Sequence, residues 1–360
     1  MKVNFLLFLL LAACWSCSKD DNDNQHGLYY PPVASGEWET TDPAALGWNI
    51  SLLPQLYTML ETNGTRAFIV LKVGRIVLEK YFGTTFTGGQ FTTSSTWYWA
   101  SAGKTLTAFV TGKAQEQGYL SISGKTKDYL GSGWTSLLPA QEEKITVRHQ
   151  LTMTTGLDDG VADNHSFDPA DLLYKADAGT RWAYHNAPYT LLDQVIEDAT
   201  GETFENYFRK VLRDRIGMDG VWLWSENDHV YYSTARSMAR FGLLMLGNGK
   251  WDEEAIMEDE AYFSDMISPS QSLNKSYGYL WWLNGKESFM APGSQLVIPG
   301  SITPSAPSDM YSGMGKNGQF VSVIPSKSII MVRMGENPSD VPVPFLFLED
   351  IWDILGSVIR

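Results

Sequence analysis

The sequence predicts an α+β domain in which an antiparallel sheet, built from strands at both ends of the chain, is flanked by helices and carries an inserted helical lobe. Three observations lead there. Residues 67–73 (AFIVLKV) and 75–81 (RIVLEKY) are rich in β-branched side chains and flank Gly74, the pattern of a hairpin. Residues 319–324 and 328–334 repeat that pattern around a turn at Pro325-Ser326. Between the two pairs, from about 120 to 280, apolar residues recur mostly at helical spacing. Strands and helices kept apart along the chain argue against alternating βαβ units. The two terminal pairs are therefore expected in one sheet, with a cleft where the lobe meets it.

The chain begins with Lys2 and the apolar run 5–13 (FLLFLLLAA), which is too short to span a bilayer and fits a signal-peptide core. The only cysteines, Cys14 and Cys17, stand where such a leader is cut, so the body of the protein has no disulfide framework. A cysteine just after an apolar leader resembles bacterial lipoprotein processing. Cys17, followed by Ser-Lys-Asp-Asp, is the expected lipidated residue, and Cys14, in Leu-Ala-Ala-Cys, is the alternative. The expected organisation is a leader and lipobox over 1–17, a polar tether over 18–30 and one folded domain over 31–360. The product would be an exported lipoprotein, periplasmic or at the outer membrane or cell surface, touching the membrane through its lipid alone.

Further along, residues 101–118 place Ala102, Leu106, Phe109, Val110 and Lys113 at helical spacing, with Gly118 as a stop. They predict an amphipathic helix. In the lobe the clearest helical patterns are 147–152, 189–200, 204–216 and 234–246. Residues 345–359 predict a final amphipathic helix. With 44% hydrophobic and 13% aromatic residues the chain can build a substantial core. Its net charge of −14 repels phosphate backbones and speaks against nucleic acid as a partner.

Three short motifs carry chemistry. Ser101-Ala-Gly-Lys104 sets a serine and a lysine three apart, on one face of a helix. A serine hydroxyl needs a base to become a nucleophile, and a lysine serves when burial or neighbouring cations lower its pKa. The helix start adds free N–H groups suited to an oxyanion. Ser-x-x-Lys also occurs at Ser16/Lys19 and Ser272/Lys275, but only Ser101/Lys104 opens a helix after a strand-like stretch. Tyr184-His-Asn186 is the second motif. In extended chain its outer residues face the same way, Tyr184 able to shuttle a proton with its pKa lowered by nearby lysines and Asn186 able to bind a carbonyl or amide. Lys316-Asn-Gly318-Gln319, at the head of a strand, is the third. It sets a lysine at the strand edge and a glycine where a substrate could approach closely.

In this order, the motifs resemble those of the serine β-lactamase and penicillin-binding-protein superfamily. The likeness is greatest to class C β-lactamase-related hydrolases, which include esterases and 6-aminohexanoate-dimer hydrolases. Residues 99–108, 145–157, 179–186 and 277–282 extend the resemblance, which covers about 60–335. It implies a β-lactamase/transpeptidase-like fold and a set of roles. Ser101 is the nucleophile, and Lys104 and Tyr184 relay its proton. Asn186, Lys316 and Gly318 bind substrate, and the N–H groups of Ser101 and Gln319 form the oxyanion hole. Asn317 stands where β-lactamases carry a hydroxyl residue. This favours a small amide or ester over a D-alanyl-D-alanine carboxypeptidase or β-lactamase substrate, with cell-wall peptide as a further possibility.

Other enzyme classes find no motif. There is no Gly-x-Ser-x-Gly, no zinc-binding grouping among the five histidines and no nucleotide-binding glycine fingerprint, so no metal or cofactor is expected. His149 reads as a packing residue, and His185 as pointing away from its two neighbours. The aromatic run 277–282 could line a pocket or fill the core. A non-catalytic cell-wall-binding lipoprotein is the reading from a different class, and retention of Ser101, Lys104, Tyr184 and Lys316 argues against it.

Overall fold

The computed structural model describes residues 27–359 except 337, 340 and 342. The leader, Cys14, Cys17, Ser16/Lys19 and most of the tether lie outside the described residues. The predicted tether ran to residue 30, yet its last residues sit on the domain. The Tyr29 N–H donates to Val73 O at 3.1 Å, and the Tyr30 ring packs 5.2 Å from Trp251.

The elements that frame the site run in this order: α1 Leu53–Thr62, β1 Thr65–Lys72, β2 Arg75–Tyr81, β3 Thr96–Tyr98, α2 Lys104–Glu116, α3 Asn186–Thr200, β4 Val221–Ser225, β5 Asp228–Thr234, α4 Ala235–Leu246, β6 Trp282–Leu283, β7 Tyr311–Gly315, β8 Gln319–Ile324, β9 Ile329–Gly335 and α5 Phe345–Val358. The predicted strand pairs join as expected. The main sheet has the order β2-β1-β9-β8-β7-β6, with every neighbouring pair antiparallel. The turn Pro325–Lys327 closes β8 to β9.

Two features differ from the expectation. The sheet gains β6 and β7, and the lobe is not purely helical. It carries a second, three-stranded sheet in the order β3-β5-β4. β7 (YSGMG) has no β-branched residue, and β4 leaves Leu223 and Trp224 exposed, so neither shows the alternation that marks a strand.

Helices cover both faces of the main sheet. Residues 330 and 333 point to opposite faces of β9. On the Ile330 side α4 lies so close that a Cβ on Gly242 would stand 2.7 Å from Ile330. On the Arg333 side, Phe347 of α5 packs with its ring 5.1 Å from the guanidinium, and α1 packs against α5. α2 is not amphipathic as predicted. Every residue from Lys104 to Ala114 is buried, because the helix runs between the sheet and the lobe. Two of its threonines are satisfied locally, Thr105 Oγ1 donating to Ala102 O at 2.7 Å and Thr111 Oγ1 to Thr107 O at 2.8 Å.

Arg333 lies fully buried on β9 and holds the chain around the β7–β8 connection. It donates to the carbonyls of Asn317, Gly318, Asn63 and Glu336 and to Thr65 Oγ1. Burial lowers its pKa to about 9. Arg333→Leu strands four carbonyls, so an unfolding free energy lower by about 3 kcal/mol is expected in denaturant titrations. A change below about 0.5 kcal/mol would show that those bonds are replaceable.

Candidate active site

Strand β3 ends at Tyr98, and the chain enters the single turn of 3-10 helix Ala100–Gly103 before α2 begins. Ala100 takes the left-handed φ of 46°, a costly conformation for a residue with a Cβ. Neighbouring bonds hold it there. The Trp99 N–H donates to Tyr231 O at 2.8 Å, its indole donates to Ser233 Oγ at 2.7 Å, and Ala102 N–H donates to Trp99 O at 3.1 Å. A turn of this type aligns i with i+3. Lys104 Nζ accordingly lies 2.9 Å from Ser101 Oγ.

The lysine is 4% exposed, and burial lowers its pKa to about 7, against the opposing pull of Asp228. The Tyr189 ring, 4.1 Å from Nζ, forms part of its surroundings. A substantial fraction of Lys104 is therefore neutral at physiological pH and able to accept a proton.

Tyr184 lies in the chain that runs into α3 and Asn186 is the first residue of that helix, and both border the same cleft as Ser101 and Lys104. His185 between them is buried on the other side, as expected from alternation. Sequence reasoning allowed Tyr184 a lowered pKa. The structure reverses that: burial pushes the phenol up, and its hydrogen bond with Ser101 offsets only part of the rise. Tyr184 thus rests as a phenol, able to give a proton. Behind it, Trp282 stacks at 6.0 Å and 14°, and Tyr277 packs on edge. The aromatic run 277–282 is core that backs the site. His149 is also structural, its Nδ1 accepting from Thr146 N–H at the start of a short helix.

Asn186 Nδ2 donates to Asn164 Oδ1 at 3.2 Å and contacts His165 Nε2 at 3.1 Å. His165 Nδ1 faces Asp228 Oδ1 at 2.6 Å. Burial alone would raise the Asp228 pKa. The His165 hydrogen bond and the charges of His165, Lys104 and Lys316 outweigh it and keep the group a carboxylate.

The third motif divides. Lys316 is exposed and borders the cleft, whose volume is about 450 Å³. Gly318 and Gln319 do not border it. A Cβ on Gly318, at φ 74°, would stand 2.8 Å from Arg333 Nη1, so this glycine admits the arginine. The Gln319 side chain bonds both main-chain groups of Gly335 and stitches β8 to β9. Asn317, at φ 65°, turns to the Tyr98 hydroxyl, and its identity says nothing about a substrate carboxylate.

The strand that does reach Ser101 is β7. A Cβ on Gly315 would stand 2.5 Å from Trp99 O and 3.0 Å from Ser101 N. Gly313 and Gly315 both lie on β7 and present the same face to the turn that carries Ser101. Their period-two spacing on one strand edge was the available signal. Gly315→Val is expected to cost about 2 kcal/mol of stability and to cut turnover, because backbone must move at the nucleophile. Melting and rate measurements check this, and a variant equal to wild type in both would show that the contact is slack.

The Ser272/Lys275 copy of the first motif plays no part here, since Lys275 pairs with Glu287. Among the described residues no group of three or more His, Cys, Asp or Glu side chains is placed to hold a metal, and no helix is long and apolar enough to cross a membrane.

Comparison with known proteins then decides the family. The Beta-lactamase family model matches residues 62–340. The chain belongs to the beta-lactamase family. Solved structures similar to this beta-lactamase-family chain include the "Putative 6-aminohexanoate-dimer hydrolase from Bacillus anthracis". That protein is 18% identical, with 84% of this chain and 81% of that one covered and a TM-score of 0.63. The "putative beta-lactamase from Bacteroides dorei DSM 17855" is 16% identical, over 87% of this chain and 99% of that one, with a TM-score of 0.65. At this identity both likenesses establish the fold alone. A Bacillus subtilis relative, the "Putative penicillin-binding protein PbpX", is 26% identical over 159 residues, 42% of this chain and 39% of its own length. The beta-lactamase-family chain thus spans well under half of that relative. The family is one of serine hydrolases in general, which is the coarse reading this membership supports.

Proposed function

We propose that the protein cleaves a small amide or ester through an acyl-enzyme on Ser101. One observation carries this reading: the Lys104 amine, buried and close to neutral, stands 2.9 Å from the Ser101 hydroxyl. In the proposed reaction neutral Lys104 takes the hydroxyl proton as Oγ attacks the carbonyl. The Ser101 N–H, together with main chain at the end of β7, receives the oxyanion; this replaces the Gln319 N–H of the sequence reading. The proton passes through the Tyr184 phenol to the departing nitrogen or oxygen. Water, activated by the same pair, then releases the acid and restores Ser101. Asn186 and Lys316 orient the substrate, Lys316 as an exposed cation at the cleft.

A fluorophosphonate probe followed by mass spectrometry tests the reading. The expected adduct lies on Ser101 and disappears in Ser101→Ala. Absence of an adduct with several acyl and phosphonate probes would return the chain to a cell-wall-binding role, and a long-lived penicilloyl adduct would move it towards a penicillin-binding protein. A panel of nitrophenyl esters and amino-acid amides then separates ester from amide cleavage.

We also propose export and anchoring through Cys17. Metabolic labelling with an alkyne fatty acid is expected to mark the wild type and not Cys17→Ala. Loss of label in Cys14→Ala alone would move the site to that residue.

A further inference from the structure

Residues 158–173 are irregular chain, yet the stretch 163–165 within them is tied to elements on two sides. One side is the start of α3. The Ala187 N–H donates to Asn164 O at 3.0 Å, and Asn186 Nδ2 donates to Asn164 Oδ1 at 3.2 Å and contacts His165 Nε2 at 3.1 Å. The other side is the turn between β4 and β5. Asn227 Nδ2 donates to Asp163 Oδ2 at 3.2 Å, and Asp228 Oδ1 stands 2.6 Å from His165 Nδ1. The stretch also braces itself, the His165 N–H donating to Asp163 Oδ1 at 3.0 Å.

These ties converge on one side chain. Helix α3 fixes the backbone of Asn186, but the outer torsion of an asparagine is broad, so its amide plane is set by hydrogen bonds. Asn164 and His165 hold the amide nitrogen from two sides. The His165 ring is held in turn by the Asp228 carboxylate, as imidazoles in functional sites commonly are. Asn164, His165, Asn186 and Asp228 all border the cleft of Ser101. The side chains of His165 and Asp228 are 40% and 45% exposed, so they fill no core.

We propose that His165, held by Asp228, is a positioning residue that, together with Asn164, fixes the Asn186 amide against the substrate acylating Ser101. The inference rests on the hydrolase reading and assigns it a support from outside the three motifs. It makes substrate placement depend on a contact between the loop and the β4–β5 turn, neither of which touches the Ser101/Lys104 pair.

Steady-state kinetics on the nitrophenyl ester that the wild type hydrolyses best test it. At about pH 9 Lys104, with a pKa of about 7, is largely neutral in every variant, so changes of charge nearby do not blur the comparison. His165→Ala is expected to raise KM about tenfold with little change in kcat or melting temperature, the mark of lost binding. Asp228→Ala should match it, and Asp228→Asn, which keeps an oxygen for the ring, should fall between. The decisive variant is double. In an Asn186→Ala background His165→Ala should change KM by less than about twofold, because its route to the substrate is gone. A loop that only supported the fold would cost as much in either background. A wild type that hydrolyses none of the esters and amides and takes no adduct on Ser101 overturns the hydrolase reading, and this inference with it. An active wild type whose KM is indifferent to His165→Ala, or a full His165→Ala effect without Asn186, overturns the positioning role alone.

Discussion

Lys104→Met is expected to lower kcat on esters or amides by about a thousandfold or more while making the protein more stable at neutral pH. Both effects come from one fact, the burial of an amine next to Ser101 Oγ. The folded lysine has a pKa of about 7 against an ordinary value of 10.5. Between those values the unfolded chain holds a proton that the folded chain has released. Stability therefore rises with pH across that window, and below it the folded protein bears the full cost of a buried ammonium. Methionine matches the shape without the charge, so the variant should melt higher at pH 7 and lose the rise between pH 7 and 10.5. The rate depends on the same proton. In wild type, kcat/KM should climb as pH passes 7 and then level off, because only the neutral amine accepts the serine proton. Melting curves and pH–rate profiles read the two effects separately. A Lys104→Met protein that melts lower, or a wild-type rate indifferent to pH around 7, would remove Lys104 as the base.

Ser101→Ala is expected to reduce turnover by about ten-thousandfold or more with little change in melting temperature. The covalent step has no substitute, since Lys104, Tyr184 and Asn186 can then only bind and polarise. The fold should tolerate the change. Ser101 is only partly buried, and its turn is held by main-chain bonds and by Trp99. Substrate affinity should survive better than the rate, which separates a lost nucleophile from a collapsed cleft. An alanine variant that turns over like the wild type would leave Ser101 a bystander and the family membership a matter of fold alone.

Much of the frame was legible beforehand, for a physical reason. β1, β2, β8 and β9 are buried strands rich in Ile and Val, so burial and β-preference agree and their patterns survive in the chain. Helices α3 and α4 likewise follow their apolar spacing. The elements that escaped are those whose form depends on partners. β7 presses two glycines against the turn that carries Ser101, and β4 and β5 pair above the cleft with mixed exposure.

The site divided in the same way. Ser101, Lys104, Tyr184 and Asn186 could be singled out because local backbone sets their spacing, one turn in the first pair and two extended residues in the second. Gln319 and Gly318 could not be placed from spacing, because a buried arginine 15 residues further on in Gly318's case, and Gly335 across the sheet in Gln319's, decide where they point. His165 and Asp228 carry no motif at all and meet only because the lobe folds them together, 63 residues apart. The sequence by itself thus determined the fold class and the pairing of Ser101 with Lys104, which depend on local periodicity and on contacts within a turn. Tertiary structure decided the rest: the protonation of Lys104 and Tyr184, the strand that reaches Ser101, and the hold of His165 on Asn186. Burial and long-range approach set those features, and neither is written in any short stretch of chain.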